Sequence, residues 1–280
     1  MANFYCRGAI GSGTTWSSSS GVSYLSFGAF IDGIGYPDTD DVGIVVPFHC
    51  YLKKNTIQII VSAATGSTLP QSTDINCQRN GVGVNSGLFP GGSVFASSTM
   101  NVEFAPNDIL NINFSYSSPT APYVDNIISI FEFEAVTTVT QAGYPCGSLL
   151  CFPCEIFSPS YPLSGRFSWG AGANNSEGLQ NKGAMTIPQN MTLVGFGAVG
   201  KNSYIGSVGS YTVTIYRING QDGTTNSITY VTLSNGSPVN SILTAPNIHN
   251  FKKGDSVYVS IDTPENVHNL VVGSLYFVLT

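Results

Sequence analysis

The chain has 280 residues and a net charge of −6, with 42% apolar side chains but only 9% charged ones. That balance excludes a disordered chain, which would have few apolar residues and many charges. It also excludes an electrostatic nucleic-acid binder. The ten Lys and Arg are scattered, with Lys53-Lys54 and Lys252-Lys253 as the only adjacent pairs, where a concentrated basic footprint is needed. No run approaches the roughly 18 apolar residues of a membrane-spanning helix. A surface so poor in Lys and Glu is expected to be covered, largely by copies of the same chain.

Residues 1–21 lack a charged segment followed by an apolar one, so they read as an N-terminal arm and not as a secretory leader. A reducing compartment is then expected, and disulfides are not the default for the six cysteines. From Val22 onward, short alternating apolar runs are broken by Gly, Asn, Pro and Ser. VTIYRI, SITYVTL, SVYVSI and GSLYFVL are strand-like, and no segment keeps a helical period over ten residues. An all-β fold follows, with no helix longer than about three turns.

The runs recur in order. Ser26–Phe30 (SFGAF) resembles Ser168–Gly172 (SWGAG). Asn80-Gly81 and Asn219-Gly220 each follow a strand, as hairpin turns do. FAPNDILNINF from Phe104 matches FKKGDSVYVSI from Phe251, with Phe104/Phe251 and Asp108/Asp255 both 147 apart (251 − 104; 255 − 108). SIFEFE from Ser129 is set against SLYFVL from Ser274. Two β modules are expected, at 22–136 and 163–280, each on the scale of a jelly-roll sandwich. Between them lies 137–162, a Cys- and Pro-rich stretch read as a non-strand linker.

Candidate chemistry is sparse. GFGAVGKN, Gly195 to Asn202, contains G-x-G-x-x-G, yet no Ser or Thr follows Lys201 and no helical pattern comes next, so a phosphate loop is rejected. Its glycines are read as permitting close packing of a strand. His49, His249 and His268 show no metal-ligand spacing. Asp38, Asp40 and Asp41 form the one acidic cluster, weak Ca²⁺ candidates against a solvated loop. Cys146, Cys151 and Cys154 supply three of the four ligands a structural zinc needs, with Glu155, Cys6 or another chain as the fourth. Packed thiols rank first for them, a cross-link second, zinc third and redox catalysis last. No nucleophile elbow or acid/base pair stands out, so no enzyme and no cofactor are expected.

An aromatic-Gly pair (Trp169-Gly170), a strand ending in Asn-Gly (Ile215–Gly220), F-x-x-G-D followed by alternating apolar residues (Phe251–Ile261) and an apolar closing strand (Leu275–Leu279) together resemble the C1q/TNF-like jelly roll. The first module departs from it at Asn107, which replaces the Gly before Asp108. Such modules occur in fibres of giant viruses and phages and in exosporium filaments. Two jelly rolls in one chain also resemble tandem jelly-roll capsid proteins. The resemblance implies a structural subunit of a virion, assembled in the host cytoplasm with itself as a trimer and with other shell proteins. It also implies that the closing strand, through Leu275, Phe277 and Leu279, carries the assembly contact. The alternatives are a spore- or cell-surface appendage and a head binding glycan or receptor through Trp16, Tyr36 or Trp169.

Overall fold

The computed structural model describes residues 2–10, 14–15, 20–24, 43–61, 73–89, 95–117, 123–135, 149–157, 165–166, 183–201, 210–234, 239–243, 249–262 and 270–280. Among them every regular element is a strand. The first ten are β1 (Ala2–Ile10), β2 (Thr14–Thr15), β3 (Ser20–Tyr24), β4 (Ile44–Val45), β5 (Cys50–Val61), β6 (Thr73–Arg79), β7 (Val82–Phe89), β8 (Phe95–Phe104), β9 (Ile109–Ser117) and β10 (Tyr123–Ala135). The second ten are β11 (Leu149–Phe157), β12 (Gly165–Arg166), β13 (Met185–Thr186), β14 (Met191–Lys201), β15 (Ser210–Ile218), β16 (Thr225–Ser234), β17 (Val239–Leu243), β18 (Asn250–Phe251), β19 (Ser256–Asp262) and β20 (Leu270–Leu279).

They form four antiparallel sheets. Sheet 1 runs β1-β10-β5-β8 and sheet 2 runs β3-β9-β6-β7, with β4 on β9. Sheet 3 runs β11-β20-β14-β17 and sheet 4 runs β12-β19-β15-β16, with β13 on β19. The two pairs of sheets have the same order. In each, the first strand pairs with the last of its half, and the chain crosses repeatedly between the two sheets, as in a jelly roll. Period-2 burial builds the interior. Sheets 3 and 4 share one core, in which Leu193, Phe196, Leu275 and Phe277 meet Val213, Ile215, Val231, Val257 and Val259. Each such side chain contributes about 1.5–3 kcal/mol on full burial.

Two expectations are corrected, at residues 149–157 and at 2–10. Leu149–Phe157 is a nine-residue strand that pairs with β20 throughout, Pro153 opposite Ser274. The prolines misled because a proline is compatible with an edge strand, and β11 is the edge of sheet 3. The N-terminal stretch is likewise not a free arm: β1 pairs with β10 from Ala2↔Ala135 to Ile10↔Ile127. The SIFEFE/SLYFVL match is one residue out of step. Phe133 opposes Leu52 just as Phe277 opposes Leu193, so Phe133 and Phe277 are the equivalent pair. A one-residue slip exchanges the two faces of a strand.

The turns repeat in detail. Asp255 accepts from the backbone N–H of Lys252 (2.8 Å) and Gly220 (3.0 Å) and pairs with Arg217 (2.7 Å). Asp108 accepts from the N–H of Ala105 (2.7 Å) and the amide of Asn80 (2.6 Å), with Arg79 at 4.0 Å. In both halves one carboxylate therefore clips two neighbouring turns together. Asn107 departs from the glycine pattern but adopts the same left-handed backbone, φ 74° against 91° for Gly254, which Asn tolerates better than most residues. Asn80-Gly81 is a tight hairpin turn, with φ 53° and 75°. Asn219-Gly220 is not. That loop is longer, closed by Gly223 N–H to Asn219 O at 2.9 Å, and its left-handed residue is Gly223.

Candidate functional site

The residues that matter most lie where the halves meet. The segment from Ile44 to Phe48 is apolar throughout, and Ile44, Val45, Val46 and Phe48 are at most 2% exposed. Pairing of β4 with β9 holds it to sheet 2. Its other side lies on the outer face of sheet 3. There the Val45 N–H donates to Ser274 Oγ (3.3 Å), and Tyr276 Oη–H donates to Val45 O (2.9 Å), both buried. The Phe48 ring meets the Tyr276 ring edge-on, centroids 5.0 Å apart.

Close approach here requires glycine. A Cβ on Gly197 would sit 2.7 Å from Val45 Cγ1 and 2.8 Å from Val45 Cβ, and one on Gly195 would sit 2.7 Å from Pro47 Cγ. This is the role of GFGAVG: it is the interior of β14, a continuous strand, and its glycines admit the other half of the chain. Tyr276→Phe keeps the ring packing but leaves the Val45 carbonyl without its donor. A loss of about 1–2 kcal/mol is expected in equilibrium unfolding.

The closing strand thus has two buried faces. Leu275 and Phe277 point into the sheet 3–sheet 4 core and Leu279 packs at its margin. Leu275 and Phe277 are fully buried, so no neighbouring molecule can reach them, while Leu279 is half-buried. Tyr276 and Ser274, on the opposite face, are covered by the chain's own first half. The apolar pattern of Gly273–Leu279 signalled two-sided cover, and the cover is intramolecular.

Cys151 and Cys154 are both buried thiols on β11. Cys154 joins the sheet 3–sheet 4 core with Leu150 and Phe152, which places Cys151 on the opposite face of the strand. Two side chains on opposite faces cannot share a metal ion. Among the described residues no cluster of three or more His, Cys, Asp and Glu is placed to hold a metal. Cys6 lies on β1. Cys146, the acidic cluster Asp38, Asp40 and Asp41, His268, Trp16, Tyr36 and Trp169 lie outside the described residues. His49 bonds Glu103 on the outer face of sheet 1. His249 offers its backbone carbonyl to Leu193 (3.0 Å), and burial lowers its imidazole pKa.

Two further thiols went unremarked in the sequence. Burial pushes Cys77 up to about 12. Burial, with Asp108 and Cys151 nearby, pushes Cys50 higher still. Neither is expected to react with a thiol reagent at pH 8 until the chain unfolds. Raised thiols stabilise the folded state fully below the unfolded value near 9, and that contribution is lost as pH rises towards the folded value. Stability should therefore fall above pH 9, by up to about 1.4 kcal/mol per pH unit for each thiol. Urea titrations at pH 8, 9 and 10 measure this, and Cys77→Ala should flatten the slope.

No family model matches the sequence, and no curated protein matches it. Solved structures resemble it only distantly. A chain of Sulfolobus turreted icosahedral virus is 10% identical, with all of this chain and 91% of that one covered, at a TM-score of 0.27. A chain of Melon necrotic spot virus is 11% identical, covering 100% and 97%, at 0.29. The tandem CBM22 domains of Paenibacillus barcinonensis Xyn10C are 9% identical, covering 85% and 80%, at 0.25. At such scores none of the three lends its role to this chain. The strand order alone makes this an all-β protein of jelly-roll type.

Proposed function

We propose that the chain is a non-enzymatic structural subunit that assembles into the shell or surface layer of a virus particle. The observation that carries this reading is the same jelly-roll strand order in both halves, joined by a seam that buries Ile44–Phe48 against sheet 3. A close-packed seam with two buried hydrogen bonds makes one stiff block out of two sandwiches. Stiff blocks suit a shell, whose curvature is fixed by the angles between its units. The two halves, 2–135 and 149–279 on their strands, act as homologous modules, and three chains would set six similar sandwiches around one axis.

Imaging of the full chain by negative stain is the test. Closed particles, or flat arrays with a regular repeat, are the expected result. A chain that stays monomeric at tens of micromolar, and in the particle it comes from, overturns the proposal.

A second reading, a glycan-binding head, draws on the outer face of sheet 4. Tyr230 is 62% exposed there, opposite Thr214 in register and close to the stacked Tyr216–Tyr258 pair. Aromatic side chains among hydroxyls suit sugar rings. Glycan-array binding that is lost in Tyr230→Ala would favour it over the shell.

A further inference from the structure

The seam has an inserted part and a receiving part, and each half of the chain carries both. The inserted part of the first half is Ile44–Phe48. Its counterpart is fixed by identical backbone bonds. Val46 N–H donates to Asp108 O and Val46 O accepts from Asn107 N–H, while Ile187 N–H donates to Asp255 O and Ile187 O accepts from Gly254 N–H. Val45 therefore corresponds to Thr186, and Pro47 to Pro188. The receiving part of the second half is the outer face of sheet 3. Registers that align Leu52–Phe133 with Leu193–Phe277 fix its counterpart on sheet 1. Lys54 stands for Gly195, Thr56 for Gly197, Ile130 for Ser274 and Glu132 for Tyr276. Both sheets even carry their strand irregularity at the same place, between Leu52 and Lys54 and between Leu193 and Gly195.

One inserted part and one receiving part are consumed inside the chain. The other two remain open. Thr186, Pro188 and Gln189 are exposed, and Ile130 is 44% exposed. If the chain made the second contact with itself, these residues would be buried as Ile44–Phe48 are.

We propose that Thr186–Gln189 of one copy docks on the outer face of sheet 1 of the next, around Lys54, Ile130 and Glu132. This inference rests on the self-assembly reading and names the contact that would build it. The chemistry of each pair matches. The closed contact is apolar on one side and, apart from Tyr276, small on the other, as suits a permanent join. The open contact is more polar: the Thr186 hydroxyl and the Gln189 amide, with Pro188 between them, face an ammonium and a carboxylate beside Ile130. Such an interface is wetter and reversible, and rim charges set its rate and salt dependence. Lys54 also acts as a block. Its side chain stands where the other receiver has no side chain to meet Pro47, so the apolar segment of a second copy cannot take this site. A contact of this kind is head-to-tail, and it closes a ring wherever the rotation per copy divides a full turn.

The test uses the full chain carrying Gln189→Glu, treated with a carbodiimide, which joins a carboxylate to an amine at zero length. A 189–54 cross-linked peptide in bands at multiples of the chain mass, absent when Lys54→Gln is added, is the expected result. Independently, Lys54→Glu in the otherwise native chain should weaken association by about tenfold or more in sedimentation, with unfolding unchanged. An oligomeric chain that gives no 189–54 link, or gives it only at monomer mass, overturns this contact and leaves self-assembly standing. A native chain that is monomeric throughout removes both.

Discussion

Gly197→Val unfolds at clearly lower denaturant than the parent, with a loss of about 3 kcal/mol. The new Cβ alone would lie 2.7 Å from Val45 Cγ1 and 3.0 Å from the Val45 carbonyl oxygen, and the two methyls beyond it have no room. Val45 cannot retreat. Its N–H and carbonyl are held by Ser274 and Tyr276, and its strand is paired with β9. Relief must come from lifting Ile44–Phe48 off sheet 3, which returns fully buried apolar side chains to water. Thr56→Val is the matched control. It places the same valine at the equivalent position on sheet 1, which no described segment of the same chain covers, and should change stability by no more than about 0.5 kcal/mol. Equal losses in the two variants would show that the seam is not the cause.

Asp255→Ala costs about 3–5 kcal/mol, and Asp108→Ala only about 1–2. The two carboxylates have the same job but unlike surroundings. Asp255 is 3% exposed at its side chain and sits 2.7 Å from Arg217, itself 29% exposed. Removing the carboxylate leaves a half-buried guanidinium beside Phe251, together with two turn N–H groups. Asp108 is 17% exposed and its arginine stands 4.0 Å away and 43% exposed, so water replaces much of what is lost. Chemical denaturation of both variants measures the difference. A larger loss from Asp108→Ala would mean that burial does not govern the strength of these clips.

Much of the second half was legible in the sequence. The F-x-x-G-D element at Phe251–Asp255 marks a turn by its chemistry, and its partner at Phe104–Asp108 was found although Asn107 replaces the glycine. GFGAVG was readable as close packing because no helix pattern follows it. What escaped depends on contacts distant in sequence. Pro153 reads as a strand breaker unless one knows that β11 is an edge. Ala2–Ile10 reads as an arm until β10, more than a hundred residues later, supplies its partner. Leu275 and Phe277 were expected at an assembly contact and lie in the core instead. Strand alternation separates two faces but does not say which faces the interior, and β20 is apolar on both.

The central place of β20 also bears on how the chain is made. It lies between β11 and β14, supplies Leu275 and Phe277 to the core, and presents Ser274 and Tyr276 to Val45, yet it follows every other strand in sequence. From Ala135, the end of the first half, to Leu279 the ribosome adds 144 residues (279 − 135), which takes roughly seven to thirty seconds at about 5–20 residues per second. Throughout that time Ile44–Phe48 stands without its cover, an apolar segment on a half that has otherwise had the chance to fold. Chaperone demand should therefore be concentrated on this one segment, and a ribosome stalled ahead of β20 would expose a single defined sticky surface.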